Sequence, residues 1–200
     1  MSLSIDYYLA PQSPWTYLGH ARLVQMAAKH GAQVRLKPVD LGKVFPVSGG
    51  LPLAQRAPQR QAYRLLELAR WRDALGVPLN VEPTHFPVPG EPAAKLIVAV
   101  QLADGTDAAL DIAGRVLAAV WAQQRHIAND DTLAELLAEA GLPPARLCAA
   151  ATPEVQALCG AHTRDAIAAG VFGGPSYVID GELFWGQDRL EFVERRLKAG

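Results

Sequence analysis

Strand-forming sequence occurs only near the two ends of this chain of 200 residues, and the stretch between them carries helical periodicity. Residues 3–9 (LSIDYYL) form an apolar and aromatic run closed by Ala10-Pro11-Gln12, which predicts a strand. Ser13 then stands where a helix N-cap is needed. Pro14 follows at the first helical position, where its missing N–H costs nothing. Tyr17, Ala21, Val24 and Ala28 share one helical face, and Gly31 ends the helix. Residues 33–39 (QVRLKPV) alternate as a second strand. At the other end, residues 176–179 and 182–185 are joined by Asp180-Gly181, a strong hairpin signal. Gly186-Gln187 turns the chain, and Asp188 with Glu191 three residues on predicts a capped helix through Arg196.

The middle is helical. A Gly- and Pro-rich loop at 46–52 leads to a helix marked by Ala62, Leu65, Leu66 and Ala69. Ala93, Leu96, Ile97 and Val100 mark a second, and Ala109, Ile112, Ala113 and Val116, extended by Val120 and Trp121, a third. Leu133, Leu136, Leu137 and Ala140 mark a fourth, with Thr132 and Glu135 as its capping box. Thr152-Pro153 opens the last, which runs toward Gly170. The order is βαβ, a helical block, then ββα. That is the α/β thioredoxin-like plan with an all-helical insertion between its halves. The crossover helix makes the first two strands parallel, and the short link makes the last two antiparallel. The predicted division is a thioredoxin-like domain of residues 1–47 and 170–200 and a helical insertion of residues 48–169.

A net charge of -1, with no basic run, gives no reason to expect nucleic acid or an anionic membrane as partner. The opening residues lack the charged and apolar regions of a signal peptide, and apolar stretches such as LIVAV at 96–100 are too short to span a bilayer. Cys148 and Cys159 lie eleven residues apart, matching neither a CxxC nor a zinc spacing. They are expected to be buried free thiols in a cytoplasmic protein.

In a thioredoxin-like fold the reactive centre lies at the N-terminus of the first helix, where free N–H groups and the helix dipole favour an anion. Redox members carry CxxC there. Here the turn reads Ser13-Pro14-Trp15-Thr16, so disulfide exchange at this site is excluded for want of a thiol. What remains is a hydroxyl aimed at an anion-stabilising pocket.

The opening IDYYLAPQSPWTYLGHARL and the closing GVFGGPSYVIDGELFWGQDRLEFVERRL resemble the 2-hydroxychromene-2-carboxylate isomerase family, relatives of kappa-class glutathione transferases and DsbA-like proteins. VRLKPVDLG and LAAVWAQQRHIANDDTL extend the resemblance over nearly the whole chain. It implies glutathione as cofactor, no metal, and a homodimer. It also implies the reaction, in bacterial aromatic catabolism: interconversion of 2-hydroxychromene-2-carboxylate and trans-o-hydroxybenzylidenepyruvate through reversible thiolate addition. By the same resemblance Ser13 is the catalytic serine that holds the glutathione thiolate. Pro175 is a cis-proline facing it, and the Gly174 backbone pairs with the cysteinyl unit. Asp188 and Gln187 hold the γ-glutamyl end, and Arg60 stands where the family often has a lysine. Two positions depart from the family: Ser48-Gly49-Gly50 replaces a Gly-Asn turn, and Gly174 replaces a commoner valine.

Each residue also has a structural reading. Ser13 and Asp188 serve as helix caps, Pro175 as a trans edge-strand proline, and Arg60 as a solvated charge. Trp15 and Trp185 either wall an aromatic substrate site or pack in the core. The five histidines show no ligand spacing, although His20 and His85 lie where a cleft is expected. A kappa-like transferase, or a non-catalytic module gripping peptides beside Pro175, are the competing functions.

Overall fold

The computed structural model describes residues 3–199. β1 (Ser4–Leu9), α1 (Pro14–His30) and β2 (Gln33–Pro38) form the opening unit, and β3 (Ser176–Ile179), β4 (Glu182–Trp185) and α9 (Leu190–Lys198) the closing one. Between them lie α2 (Leu41–Ser48), α3 (Pro58–Leu75), α4 (Glu91–Asp104), α5 (Thr106–Trp121), α6 (Asp130–Glu139), α7 (Ala145–Ala150) and α8 (Pro153–Ala168). The four strands make one sheet in the order β2-β1-β3-β4. β1 runs parallel to β2 and antiparallel to β3, and β3 antiparallel to β4. This is the expected thioredoxin-like topology.

The local signals act as their chemistry requires. Ser13 caps α1 by accepting from the Thr16 N–H, and Gly31 ends it at φ +61°. Asp180 and Gly181 both take positive φ, as a two-residue hairpin turn of this type demands. One cluster of buried side chains includes Ile5, Tyr7 and Leu36 from the sheet, Leu23 from α1, and Leu96, Ile97, Ala113 and Val116 from α4 and α5. The helical block therefore extends the core of the sheet, and the expected boundary at 47/48 falls inside α2.

Several expectations are corrected. The buried face of α1 is Thr16, His20, Leu23 and Ala27, while Ala21 and Ala28 are exposed. The stripe is rotated because two of its members, His20 and Thr16, are polar, which an apolar pattern cannot register. In α3 only Leu68 is fully buried and Leu66 is exposed, since much of that helix faces a cavity. Asp188 does not cap the last helix: a 3-10 turn, Gln187–Arg189, precedes α9, with the Arg189 N–H bonded to the Gly186 carbonyl at 3.1 Å. Asn129, not Thr132, caps α6, and Glu135 pairs with Arg125 at 2.8 Å. The expected 46–52 loop begins inside α2, which holds Pro46 and is closed at both ends, by Asp40 and by Gly49.

Two histidines are built into the interior in neutral form. His20 meets the Leu110 carbonyl through Nε2 at 2.9 Å, so that nitrogen carries the proton and Nδ1 accepts from the Tyr7 hydroxyl at 3.2 Å. Burial lowers the pKa of His20, and burial with the nearby Lys37 charge lowers that of His162 to about 4. Both rings stay neutral in the fold while the unfolded chain takes up protons below its ordinary value of about 6.5. Their contribution is therefore intact above that value and is lost as pH falls. The expected loss is up to about 1.4 kcal/mol per pH unit for each ring. Urea unfolding at pH 7 and pH 5 should show a shallower acid dependence for His162→Gln than for the wild type.

Candidate active site

The chain's two ends meet at the N-terminus of α1. Gly174–Pro175 is a cis peptide bond, and the Ser13 hydroxyl donates to the Gly174 carbonyl at 3.3 Å while accepting from the Thr16 N–H at 3.3 Å. Tyr17 N–H is bonded to the Ser13 carbonyl and Pro14 has no N–H, so the Trp15 amide is the first-turn donor without a protein partner among the described residues. The Thr16 hydroxyl in the same turn is buried and also unpartnered. Such an end offers an anion both a donor and the positive pole of a helix.

The opposite wall is fixed by close packing. A Cβ on Gly19 would lie 2.9 Å from Gln187 Cβ, so α1 and the turn after β4 touch along backbone. Gln187 is buried, and Arg22 donates to its side-chain oxygen at 2.7 Å and to its carbonyl at 3.3 Å. The Gly186 N–H bonds the Pro175 carbonyl at 2.9 Å, tying this turn to the cis-proline. Gly186 sits at φ +104°, and a Cβ there would overlap the Asp188 carboxylate. Asp188 is thus held over a glycine, on the surface of a cavity.

That cavity has a volume of about 640 Å³, within the range of small-molecule sites. Arg56, and from α3 Arg60 and Arg64, form one wall; Gly174, Gln187 and Asp188 contribute to the other. Trp15, Trp71 and Trp185 supply aromatic surface. Of the expected site residues, Arg60, Gly174, Gln187 and Asp188 therefore line one space, with Trp15 and Trp185 beside them. Ser13 and Pro175 are buried next to Trp15 and Gly174 without lining it. The Gln187 side-chain oxygen is committed to Arg22, so what it offers a ligand is its remaining amide or backbone. Arg56, Arg64, Trp71 and Arg189 were not anticipated. The four-residue spacing of Arg56, Arg60 and Arg64 was the available signal.

The departures from the resembled pattern have distinct causes. A side chain at Gly50 would collide with the Phe45 ring, so the space an asparagine would occupy is filled from α2. At Gly174 a Cβ would find ordinary contacts, 3.6 Å to Ala10 N and 3.7 Å to Leu41 Cδ1, so glycine is not sterically required. His20 lies in the core, and His85 packs edge-on to His126 with centroids 5.1 Å apart; neither lines the cavity. Cys148 is exposed and Cys159 partly so, which corrects their expected burial. Partial burial still raises the Cys159 thiol pKa. Among the described residues no three His, Cys, Asp or Glu side chains group as metal ligands, and no helix is long and apolar enough to cross a membrane.

A sequence model of the DSBA-like thioredoxin domain matches residues 4–198. The chain belongs to that family. 2-Hydroxychromene-2-carboxylate isomerase of Sphingobium xenophagum is 27% identical over 199 residues, covering 98% of this chain and 99% of that protein. A solved 2-hydroxychromene-2-carboxylate isomerase superposes with a TM-score of 0.82, over 98% of this chain and 95% of that one, at 23% identity. The cytosolic disulfide reductase DsbM from Pseudomonas aeruginosa, solved with GSH, superposes at 0.70, covering 98% and 100% of the two chains at 21% identity.

The glycine geometry gives a direct contrast. Gly186→Ala forces a side chain into left-handed backbone and against Asp188, and should cost on the order of 1–3 kcal/mol. Gly174→Ala should change stability by less than about 0.5 kcal/mol, within the range of an uncrowded substitution. Denaturant midpoints of the two variants check the difference.

Proposed function

We propose that this protein is a glutathione-dependent isomerase of unsaturated aromatic keto acids, of the kind named by its 2-hydroxychromene-2-carboxylate isomerase relatives. The observation that carries the reading is the Ser13–Gly174 contact at the mouth of α1. Ser13 has one hydroxyl proton, and in the free protein it points to the Gly174 carbonyl at 3.3 Å, beyond the usual 2.5–3.0 Å of a good O–H···O bond. A ligand with a thiolate and a nearby amide N–H satisfies both groups better. The Ser13 proton turns to sulfur, and the Gly174 carbonyl accepts the N–H.

The cysteinyl unit of glutathione carries both features. The γ-glutamyl ammonium of glutathione suits Asp188, and the tripeptide's carboxylates suit Arg60 and Arg56. Bound there, glutathione supplies a sulfur nucleophile that adds reversibly to a conjugated carbon, turning a double bond into one that can rotate. The protein's own work is electrostatic and steric. The α1 dipole, the Trp15 N–H and Ser13 hold negative charge at the sulfur position. Trp15 and Trp185 present flat faces to an aryl ring and displace water. Two free cysteines support a reducing, cytoplasmic setting.

Ser13→Ala separates this role from helix capping. Loss of the cap should cost on the order of 1 kcal/mol and leave the protein folded. Isomerisation of 2-hydroxychromene-2-carboxylate at neutral pH should fall by about 100-fold or more, and partly recover at higher pH. A folded variant with wild-type turnover, or wild-type turnover that needs no glutathione, would sink the reading. Net consumption of glutathione with an electrophile, without isomerisation, would make the protein a transferase instead.

A further inference from the structure

We propose that Arg64 receives the carboxylate of the aromatic acid and sets a preference for anionic over neutral acceptors. The identity of the acceptor rests on the isomerase reading above, whereas the anion site rests on the structure of this wall alone.

Arg64 projects from α3 into the cavity, and its guanidinium lies over two aromatic rings, Phe86 at 5.0 Å and Trp121 at 5.5 Å. Those two rings flank the guanidinium. Trp121 is fully buried and donates its indole N–H to the carbonyl of Gln12 at 3.3 Å. Gln12 immediately precedes Ser13, so a single indole separates Arg64 from the turn that bears the serine. A group bound by Arg64 therefore lies close to the turn that bears Ser13.

Among the described residues the charge on Arg64 has no counterion. Its Nη2 is buried and has no hydrogen-bond partner, and it enters no ion pair among the described residues. Glu67, one turn along α3, is committed to Arg70 at 2.6 Å. Burial, and the charge of Arg56, another cation, lower the Arg64 pKa to about 10. At neutral pH the side chain therefore remains charged, partly desolvated and repelled by its neighbour. An unpaired, partly buried cation is costly to hold. A carboxylate matches its fork in a bidentate pair, and the cavity's own aromatic side chains, Trp15, Trp71 and Trp185, favour one attached to an aryl group. The alternative is that Arg64 is a cation–π brace between two rings and nothing more.

The test compares 2-hydroxycinnamate with its carboxamide, titrated by tryptophan fluorescence into wild type, Arg64→Gln and Arg64→Lys, with glutathione binding followed separately by calorimetry. The expected result is that wild type prefers the acid by about tenfold or more, as for a charge-assisted bond. Arg64→Gln should lose that preference while keeping the carboxamide affinity, Arg64→Lys should retain part of it, and glutathione affinity should stay within about twofold. Three results would overturn the proposal. One is a wild type that does not distinguish acid from amide. Another is an Arg64→Gln variant whose glutathione affinity falls while the acid preference persists, which would assign Arg64 to the tripeptide. The third is a variant that loses only stability, which would leave it a brace. If wild type binds no glutathione yet Arg64→Gln abolishes acid preference, the isomerase reading fails and the anion site stands. Should Arg64→Gln not fold, the wild-type discrimination and the Arg64→Lys series decide.

Discussion

The antiparallel pairing of β1 with β3 is the contact on which the site depends. It aligns Asp6 with Val178, Tyr7 with Tyr177 and Tyr8 with Ser176, and so brings together segments from opposite ends of the chain. Tyr7 and Tyr177 are fully buried and stack with centroids 5.5 Å apart, a pair worth about 0.5–1.5 kcal/mol beyond the area it removes from water. The first turn of α1 follows β1, and the cis-proline precedes β3. One register therefore sets the distance between Ser13 and Gly174, residues 161 apart in sequence. A register slip by one residue would turn the tyrosines outward and separate the two halves of the site.

The same topology decides what charge the site favours. α1 starts at the sheet's end with a hydroxyl cap, no sulfur and, among the described residues, an unpartnered amide, so any anion it favours is one that a ligand brings. α3 faces it with Arg60 and Arg64, reinforced by Arg56, and the turn after β4 presents Asp188. The cavity therefore carries an excess of cations on the α3 side, where Glu67 is paired with Arg70, and a carboxylate beside Arg189 on the turn after β4, with three tryptophans in its lining. That division suits a zwitterionic tripeptide and an aryl acid side by side better than a peptide gripped along one edge.

Much of this was readable in the chain because it rests on local chemistry. Ser13-Pro14 can cap a helix only one way, Asp180-Gly181 closes a hairpin, and the apolar stripes of α4 and α5 are buried as their spacing requires. The reading failed where side chains answer to tertiary partners. The buried face of α1 includes His20 and Thr16, and much of α3 faces a cavity, so apolar periodicity pointed to Ala21 and Leu66 instead. Asp188 looked like a cap because its spacing to Glu191 is right, but a positive-φ glycine and a 3-10 turn intervene. Arg64 escaped notice because a lone arginine on a helix is ordinarily solvated; only its aromatic bed and missing counterion distinguish it. α7, of six residues, is too short to show a period.

The central claim is that the start of α1, with Ser13, makes a ligand thiol ionise more readily than it does in water. The ultraviolet absorbance of thiolate, followed as glutathione bound to the wild-type protein is titrated with pH, measures this directly. The account predicts an apparent thiol pKa at least one unit below the ordinary value of about 8.5, since each unit corresponds to about 1.4 kcal/mol of preference for the anion. A bound thiol that titrates at the same pH as free glutathione would contradict it.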